Sequence, residues 1–164
     1  SDKGSKDVIS RTGTKIDVVN SKSVTGGLGL IVLRAARALE SGVKHEEVIA
    51  QIEEWKEKSF LRVSVKTLRY IIRSGRVSPL KSFVAKMLDL KPIIWIDHNG
   101  KASLLSKSFT EKSTMKKVMK SISKIISGKK VWEYAITHAN NSATAQWYAE
   151  QMEKLTEKKP LFIE

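Results

Sequence analysis

The sequence predicts an α/β (α+β) protein with a mixed sheet and flanking helices. Three observations predict it. Apolar or β-branched runs of strand length, such as Val131 to Ile136, alternate with longer segments whose apolar residues recur at helical spacing. Asn99-Gly100 stands between two strand-like runs, the strongest short hairpin signal in the chain. The 164 residues contain no internal repeat and suffice for one sizeable core.

Each element has a local reason. Residues 1–15 read as a disordered or vector-derived start. Lys15 to Asn20 reads as a short buried strand through Ile16, Val18 and Val19. The small, glycine-rich stretch Ser21 to Gly29 opens a helix running to about Ser41, with an apolar stripe of Leu28, Ile31, Val32, Ala35, Ala36 and Leu39 and a stop at Gly42. His45 to Lys58 is an amphipathic helix with Val48, Ile49, Ile52 and Trp55 on one face. Leu61 to Val65 is a strand, and Thr67 caps a short helix that Gly75 stops. Ser78-Pro79 starts another helix, which buries Leu80, Phe83, Val84, Met87 and Leu88. Lys91 to His98 and Lys101 to Lys107 form the hairpin. Thr114 to Ser127 is a helix with Met115, Val118, Met119, Ile122, Ile125 and Ile126 inside. Val131 to Ile136 is a strand, Ser142 to Leu155 a helix, and Pro160 to Ile163 a last short strand.

Charge is unevenly placed. The net +13 comes from residues 61–130, which hold 17 basic and 3 acidic side chains. A localised basic face suits an anionic partner: nucleic acid, a lipid head group or an acidic protein. The absence of cysteine excludes disulfides, thiol chemistry and cysteine-based zinc sites, and the three histidines are too far apart for a local metal site. No apolar run approaches the roughly 18 residues of a membrane span. With no visible signal peptide, a cytoplasmic location is expected. Gly27-Leu28-Gly29 lacks the third glycine of a dinucleotide fingerprint, because Val32 stands in its place. Neither a Walker A phosphate loop nor a G-x-S-x-G nucleophile turn is present. No constellation requires a catalytic reading, and none calls for a metal or cofactor.

Four stretches, in order, resemble the DegV family of bacterial fatty-acid-binding proteins. These are NSKSVTGGLGLIVLRAA from Asn20, VSVKTLRYIIRSGRVS from Val63, LDLKPIIWIDHNGKA, and YAITHANN from Tyr134. They are similar to the family's D-S-K-S-x-S-G-G-x-G-L, L-x-x-L-x-x-G-G-R-I-S, L-x-I-K-P-I-L-x-x-x-x-G-K and I-x-H-x-D/N segments. The resemblance implies a protein that holds a long-chain fatty acid between two α/β domains and presents its carboxylate to a separate fatty acid kinase, without being an enzyme itself. It further implies that residues 16–60 are the last strand of an N-terminal domain plus linking helices, and 61–164 an incomplete DegV-like C-terminal domain. The family's D-S-x-x-D strand, T-T-S-Q-x-S loop and G-x-H-x-G-P-G segment have no counterpart. Ser106 to Lys112 stands where the family carries a basic R-G-R-K-K turn.

The candidate site residues follow. Arg76 matches the arginine of the family's G-G-R and is implied to lie near the ligand head group. Physically, a guanidinium after the Gly75 stop and beside a helix start at Ser78 suits a carboxylate, and it equally suits an ordinary surface position. Phe83 and Met87 could line an acyl pocket or face their own core. His138, at a predicted strand end, is a candidate site residue or a satisfied structural histidine. Lys112, Lys116, Lys120 and Lys124 recur every four residues, with Lys117 adjacent. They form a membrane or partner surface, or a solvated face. Two other readings stand beside fatty acid binding: an acceptor or regulatory domain of a kinase-like fusion, and a nucleic-acid-binding module, disfavoured by the few aromatics and the absence of a groove-reading motif. If the helix from Gly26 lacks a partner domain, its apolar face invites self-association.

Overall fold

The structure is a computed structural model that describes residues 13, 16–67, 90–97 and 99–164. Among the described residues seven elements run in chain order: α1 (Thr25–Glu40), α2 (His45–Lys58), β1 (Arg62–Ser64), β2 (Lys91–Ile96), β3 (Ala102–Ser108), α3 (Glu111–Ile126) and α4 (Ser142–Thr156). The helices predicted over 67–75 and 78–88 lie outside the described residues.

The sheet is antiparallel in the order β1-β2-β3. Ile93 and Ile94 of the central strand are buried, as is Leu90 just before it. α3 packs across all three strands and against α4, burying Val118 and Ile126. α4 contributes Ala145, Ala149 and Met152 to the same core. The hairpin forms as expected, with its turn closed by side-chain chemistry. The Asp97 carboxylate accepts from the Asn99 N–H at 2.9 Å and the Lys101 N–H at 2.8 Å. Gly100 takes φ +78°, the left-handed region that glycine enters without steric cost. The Gly100 N–H also donates to the Asp97 carbonyl at 2.9 Å, and the Asp97 N–H to the Lys101 carbonyl at 3.0 Å.

The register of β2 with β3 shifts between Ile93 and Ile94, so Leu105 is an extra, exposed residue on β3. A bulge of this kind re-aims one side chain out of the alternating pattern.

The two predicted strands at the chain's C-terminal side pair in parallel over a short stretch. Ile136 N–H donates to Phe162 O at 3.1 Å, Leu161 N–H to Tyr134 O at 2.8 Å, and Glu164 N–H to Ile136 O at 3.1 Å. Parallel and antiparallel pairings thus occupy two separate ladders. Residues 131–135 do not form a regular strand, and the bridge is confined to Ile136 and Ile163. Residues 16–20 are irregular rather than the expected buried strand, and Val18 is exposed. A strand requires a partner backbone, and none of the described residues pairs with this one.

α2 matches its predicted bounds. α3 starts at Glu111, three residues before the predicted Thr114, because Thr110 is its cap: the Thr110 side chain accepts from the Ser113 N–H at 3.2 Å. α1 ends where Gly42 N–H meets Leu39 O and Val43 N–H meets Ala38 O, a Schellman closure. The packing face of α1 differs from the predicted stripe. Of that stripe only Ile31 is buried, while Leu28, Val32 and Leu39 are exposed. The helix instead presents its glycines and arginines to the rest of the chain. A methyl group on Gly26 would stand 3.1 Å from Thr137 Cγ2, and one on Gly29 3.4 Å from Phe162. Arg34 stacks on Trp132 at 4.1 Å and on Trp55 at 5.2 Å, and Arg37 pairs with Glu133 at 2.7 Å.

Two outcomes test these constraints. Gly100→Ala is expected to cost about 1–2 kcal/mol in urea denaturation, from the left-handed backbone and from contact with the Lys22 backbone 3.2 Å away. Arg34→Ala is expected to cost roughly 1–3 kcal/mol, with Arg34→Lys recovering only part of the loss because an ammonium cannot stack flat between two indoles. Full recovery by lysine would show that charge alone matters there.

Candidate functional site

Three of the four sequence stretches quoted above meet at one end of the fold. The loop 20–24 leads into α1, and its Lys22 backbone lies against Gly100 in the hairpin turn. Gly26, in the first turn of α1, lies against Thr137 at the end of the parallel ladder. The stretch from Asn20, the hairpin and the 134–141 segment are therefore neighbours. The loop is backbone-strained: Lys22 has φ +50° and Thr25 φ +49°, the latter unusual for a β-branched residue. α1 begins without a side-chain cap and without an acidic residue in its first turn. Its leading N–H groups keep their positive character beside the hydroxyls of Ser21, Ser23 and Thr25.

His138 follows directly. Its N–H donates to the Glu164 carbonyl, which closes the ladder. Its ring Nδ1 accepts from the Asn141 N–H at 3.2 Å, so a neutral ring carries its proton on the exposed Nε2 side. His138 is therefore a turn-forming residue with one ring nitrogen open to solvent. Gly75, Arg76, Ser78, Phe83 and Met87 lie outside the described residues, so only His138 of the predicted lipid-binding set has a described position.

The five predicted lysines are all exposed on α3. Lys112, Lys116, Lys117 and Lys120 line a shallow open groove with Thr110 and Ser113. Lys120 also borders a second groove between α3 and α4, with Met119, Ser123, Gln151, Lys154 and Leu155. Lys124 lies in the last turn of α3. Lys117 Nζ donates to the Lys107 carbonyl at 2.7 Å and so ties the helix to β3.

Sequence reasoning missed three features. Glu111 links the starts of α3 and α4, accepting from Thr144 Oγ1 at 2.9 Å and from Asn141 Nδ2 at 3.4 Å. Those hydrogen bonds, Thr144 first, hold its carboxyl below the usual range, with a smaller contribution from Lys66 and Lys91. Arg62 is half-buried, and burial lowers its pKa from the usual value. Its Nε donates to Ser121 Oγ at 3.0 Å and its guanidinium lies near Phe60 and Trp95. Phe109, 72% exposed, stands immediately before the Thr110 cap. A signal for Phe109 was available: a hydrophobic residue before a cap staples to the fourth helical residue, and here that residue is the polar Thr114.

Among the described residues no helix is long and apolar enough to cross a membrane.

Comparison with known proteins gives consistent matches. The family model described as "Uncharacterised protein, DegV family" matches residues 4–164. A DegV domain-containing protein of Staphylococcus aureus is 26% identical over 125 residues, covering 76% of this chain and 44% of the relative. One from Clostridium perfringens is 32% identical over 108 residues, covering 66% of this chain and 38% of the relative. The chain thus spans about half or less of the length of these curated relatives. Among solved structures, a DegV family protein from Eubacterium eligens loaded with heptadecanoic acid superposes with a TM-score of 0.84 at 22% identity, over 96% of this chain and 57% of that one. The Streptococcus pneumoniae fatty acid kinase B3 protein loaded with linoleic acid gives 0.83 at 22% identity, over 99% and 58%. At these identities the agreement speaks to the fold.

The Glu111 tie gives a pH prediction. Because the folded pKa is depressed, its stabilisation is present above the unfolded value near 4.5 and is lost as pH falls through the folded value. The carboxyl is largely exposed, so the contribution is small, about 0.5 kcal/mol after solvent screening. Glu111→Gln should therefore be slightly less stable than the parent at neutral pH, with the gap closing below pH 4.5, read from denaturation midpoints.

Proposed function

Because the chain belongs to the DegV family, we propose that it forms part of a protein that binds a long-chain fatty acid and presents its carboxylate to a separate fatty acid kinase. In this reading the chain supplies one wall of the ligand site and performs no chemistry. The observation that carries the reading is the family match over residues 4–164. Two features of the fold support it. The family-like segments converge around the hydroxyl-rich loop at the start of α1, where N–H groups and hydroxyls suit a carboxylate. The face of α1 bearing Leu28, Val32 and Leu39 is open, as befits a helix that meets a further apolar surface.

Burial of the acyl chain dominates the affinity. Each buried methylene contributes about 0.8 kcal/mol, so a hexadecanoyl tail contributes on the order of 10 kcal/mol in gross terms. A cleft with one wall leaves much of the tail wet. Losing a third of the burial, roughly 3 kcal/mol, weakens binding more than a hundredfold.

The test is palmitate binding by calorimetry, together with native mass spectrometry for co-purified fatty acid. The chain alone should be empty or bind weakly, and the protein at the length of its relatives should retain the acid. In that longer protein Arg76→Ala should weaken palmitate binding or block phosphorylation of the bound acid, by roughly 1.5–3 kcal/mol for a lost charge-assisted hydrogen bond. Lys116→Ala should leave palmitate affinity unchanged. Normal binding and phosphorylation in Arg76→Ala would make Arg76 a surface residue, and no retained acid in the longer protein would remove the reading itself.

A further inference from the structure

The outer side of α3 carries charge that the fold itself does not use. Lys112, Lys116, Lys120 and Lys124 are exposed and form no salt bridge among the described residues. Residues 101–130 hold nine lysines, no arginine and a single acidic residue, Glu111. The Glu111 carboxylate is engaged by Thr144 and Asn141.

The row has a definite geometry. Each step of four residues advances about 6 Å along the helix axis and turns about 40° around it. From Lys112 to Lys124 the row climbs about 18 Å and winds through about a third of a turn. Lys112, Lys116, Lys117 and Lys120 line one groove with Thr110 and Ser113. Lys120 also borders the groove between α3 and α4, where Lys154 is a further cation. The shared Lys120 joins the two into one basic path from the start of α3 to the end of α4. At the head of that path stands Phe109, next to Thr110 and 72% exposed. The helix position that would cover its ring is Thr114, whose hydroxyl donates instead to the Thr110 carbonyl at 2.9 Å.

We infer that this path binds single-stranded nucleic acid, with the lysines meeting successive phosphates and an unpaired base stacking on the Phe109 ring. A repeating row of cations is complementary to a repeating polyanion. A single strand bends to follow a row that winds, whereas a duplex is stiff over roughly 150 base pairs and meets only part of it. A duplex also keeps its bases stacked on one another, while every unpaired base has a π face for the exposed ring. An acidic polypeptide satisfies the charge but sets no planar face beside each carboxylate. The first groove is lined by hydroxyl and ammonium groups alone, a polar bed suited to a phosphate backbone. Lysine without arginine fits backbone contact, because an ammonium is a point charge without the bidentate fork that reads base edges. Such a site is indifferent to sequence and needs neither a groove-reading motif nor many aromatics. The inference does not rest on fatty acid binding.

The experiment is fluorescence anisotropy of the chain with dye-labelled oligothymidylate and oligouridylate of about twelve nucleotides, against duplex DNA of the same length. Single strands should bind roughly tenfold more tightly than duplex. The slope of log affinity against log salt should be about −3, for four phosphate contacts. Lys116→Gln with Lys120→Gln should weaken binding and flatten that slope by about 1.4. Lys44→Gln with Lys159→Gln removes the same charge outside both grooves and should leave the slope unchanged. Phe109→Ala and Phe109→Leu should each lose roughly tenfold in affinity at an unchanged slope, and Phe109→Tyr should bind as the parent does, because leucine is apolar without an aromatic face. These are surface changes, and circular dichroism verifies the fold of each variant. The inference is overturned if duplex binds as tightly as single strands, if the Lys116 and Lys120 pair variant keeps the parent slope, or if Phe109→Leu binds as the parent does. Competition by polyglutamate on equal terms with the single strands at equal ionic strength also overturns it, and marks an acidic polypeptide as the occupant.

Discussion

The stacking of Arg34 between Trp132 and Trp55 decides how the first two helices join the rest of the chain. α1 and α2 pack on each other, and among the described residues their links to the remainder include this stack, Lys58 over Trp132, the Arg37–Glu133 pair, and the close approach of Gly26 and Gly29 to Thr137 and Phe162. A guanidinium between two indoles gains about 0.5–2 kcal/mol beyond its burial and retains part of its hydration. Placing that side inward fixes the rotation of α1 about its axis. The apolar stripe of Leu28, Val32 and Leu39 must then face outward. One arginine thus sets both which surface holds the fold together and which surface is offered.

The elements best read from sequence were those whose signals are local. α2 has an amphipathic period bounded by acidic residues at its start and lysines at its end, and its bounds agree. The hairpin follows from turn chemistry at Asp97, Asn99 and Gly100. Elements that depend on distant partners were read less well. Ile16, Val18 and Val19 have strand-like side chains, but a strand exists only with a paired backbone. The stripe on α1 has the right period for a core face, yet the helix packs through two glycines and two arginines. Hydrophobic periodicity gives no weight to a glycine that permits close approach or to an arginine that stacks.

The site was legible to a different extent. The α3 lysines were visible as a four-residue repeat because exposure on a helix is a matter of spacing. His138 was marked by its place at a strand end, and the fold gives it ladder-closing and loop-closing bonds. Phe109, Glu111 and Arg62 escaped notice because single residues have no period. Glu111 acquires its role only when α4 brings Thr144 and Asn141 to it, thirty residues on in the chain and more.

α3 also shows what its charged row costs. Lys112, Lys116, Lys120 and Lys124 make successive like-charge pairs at four-residue spacing, each destabilising by about 0.2–0.5 kcal/mol. Lys112 adds a positive charge to the first turn, where the helix dipole disfavours it. Glu111 at the start and Lys124 in the last turn act in the opposite sense. The helix persists because its other side buries Val118 and Ile126 against the sheet, at about 1.5–3 kcal/mol for each such side chain. A helix needing only solubility could alternate charge sign along this face and gain rather than lose from its pairs. Retaining one sign over three turns, with an uncovered phenylalanine at the end, concentrates a repulsion that an anionic counter-surface would relieve. The same physics that makes the row unfavourable in isolation therefore makes it favourable in contact.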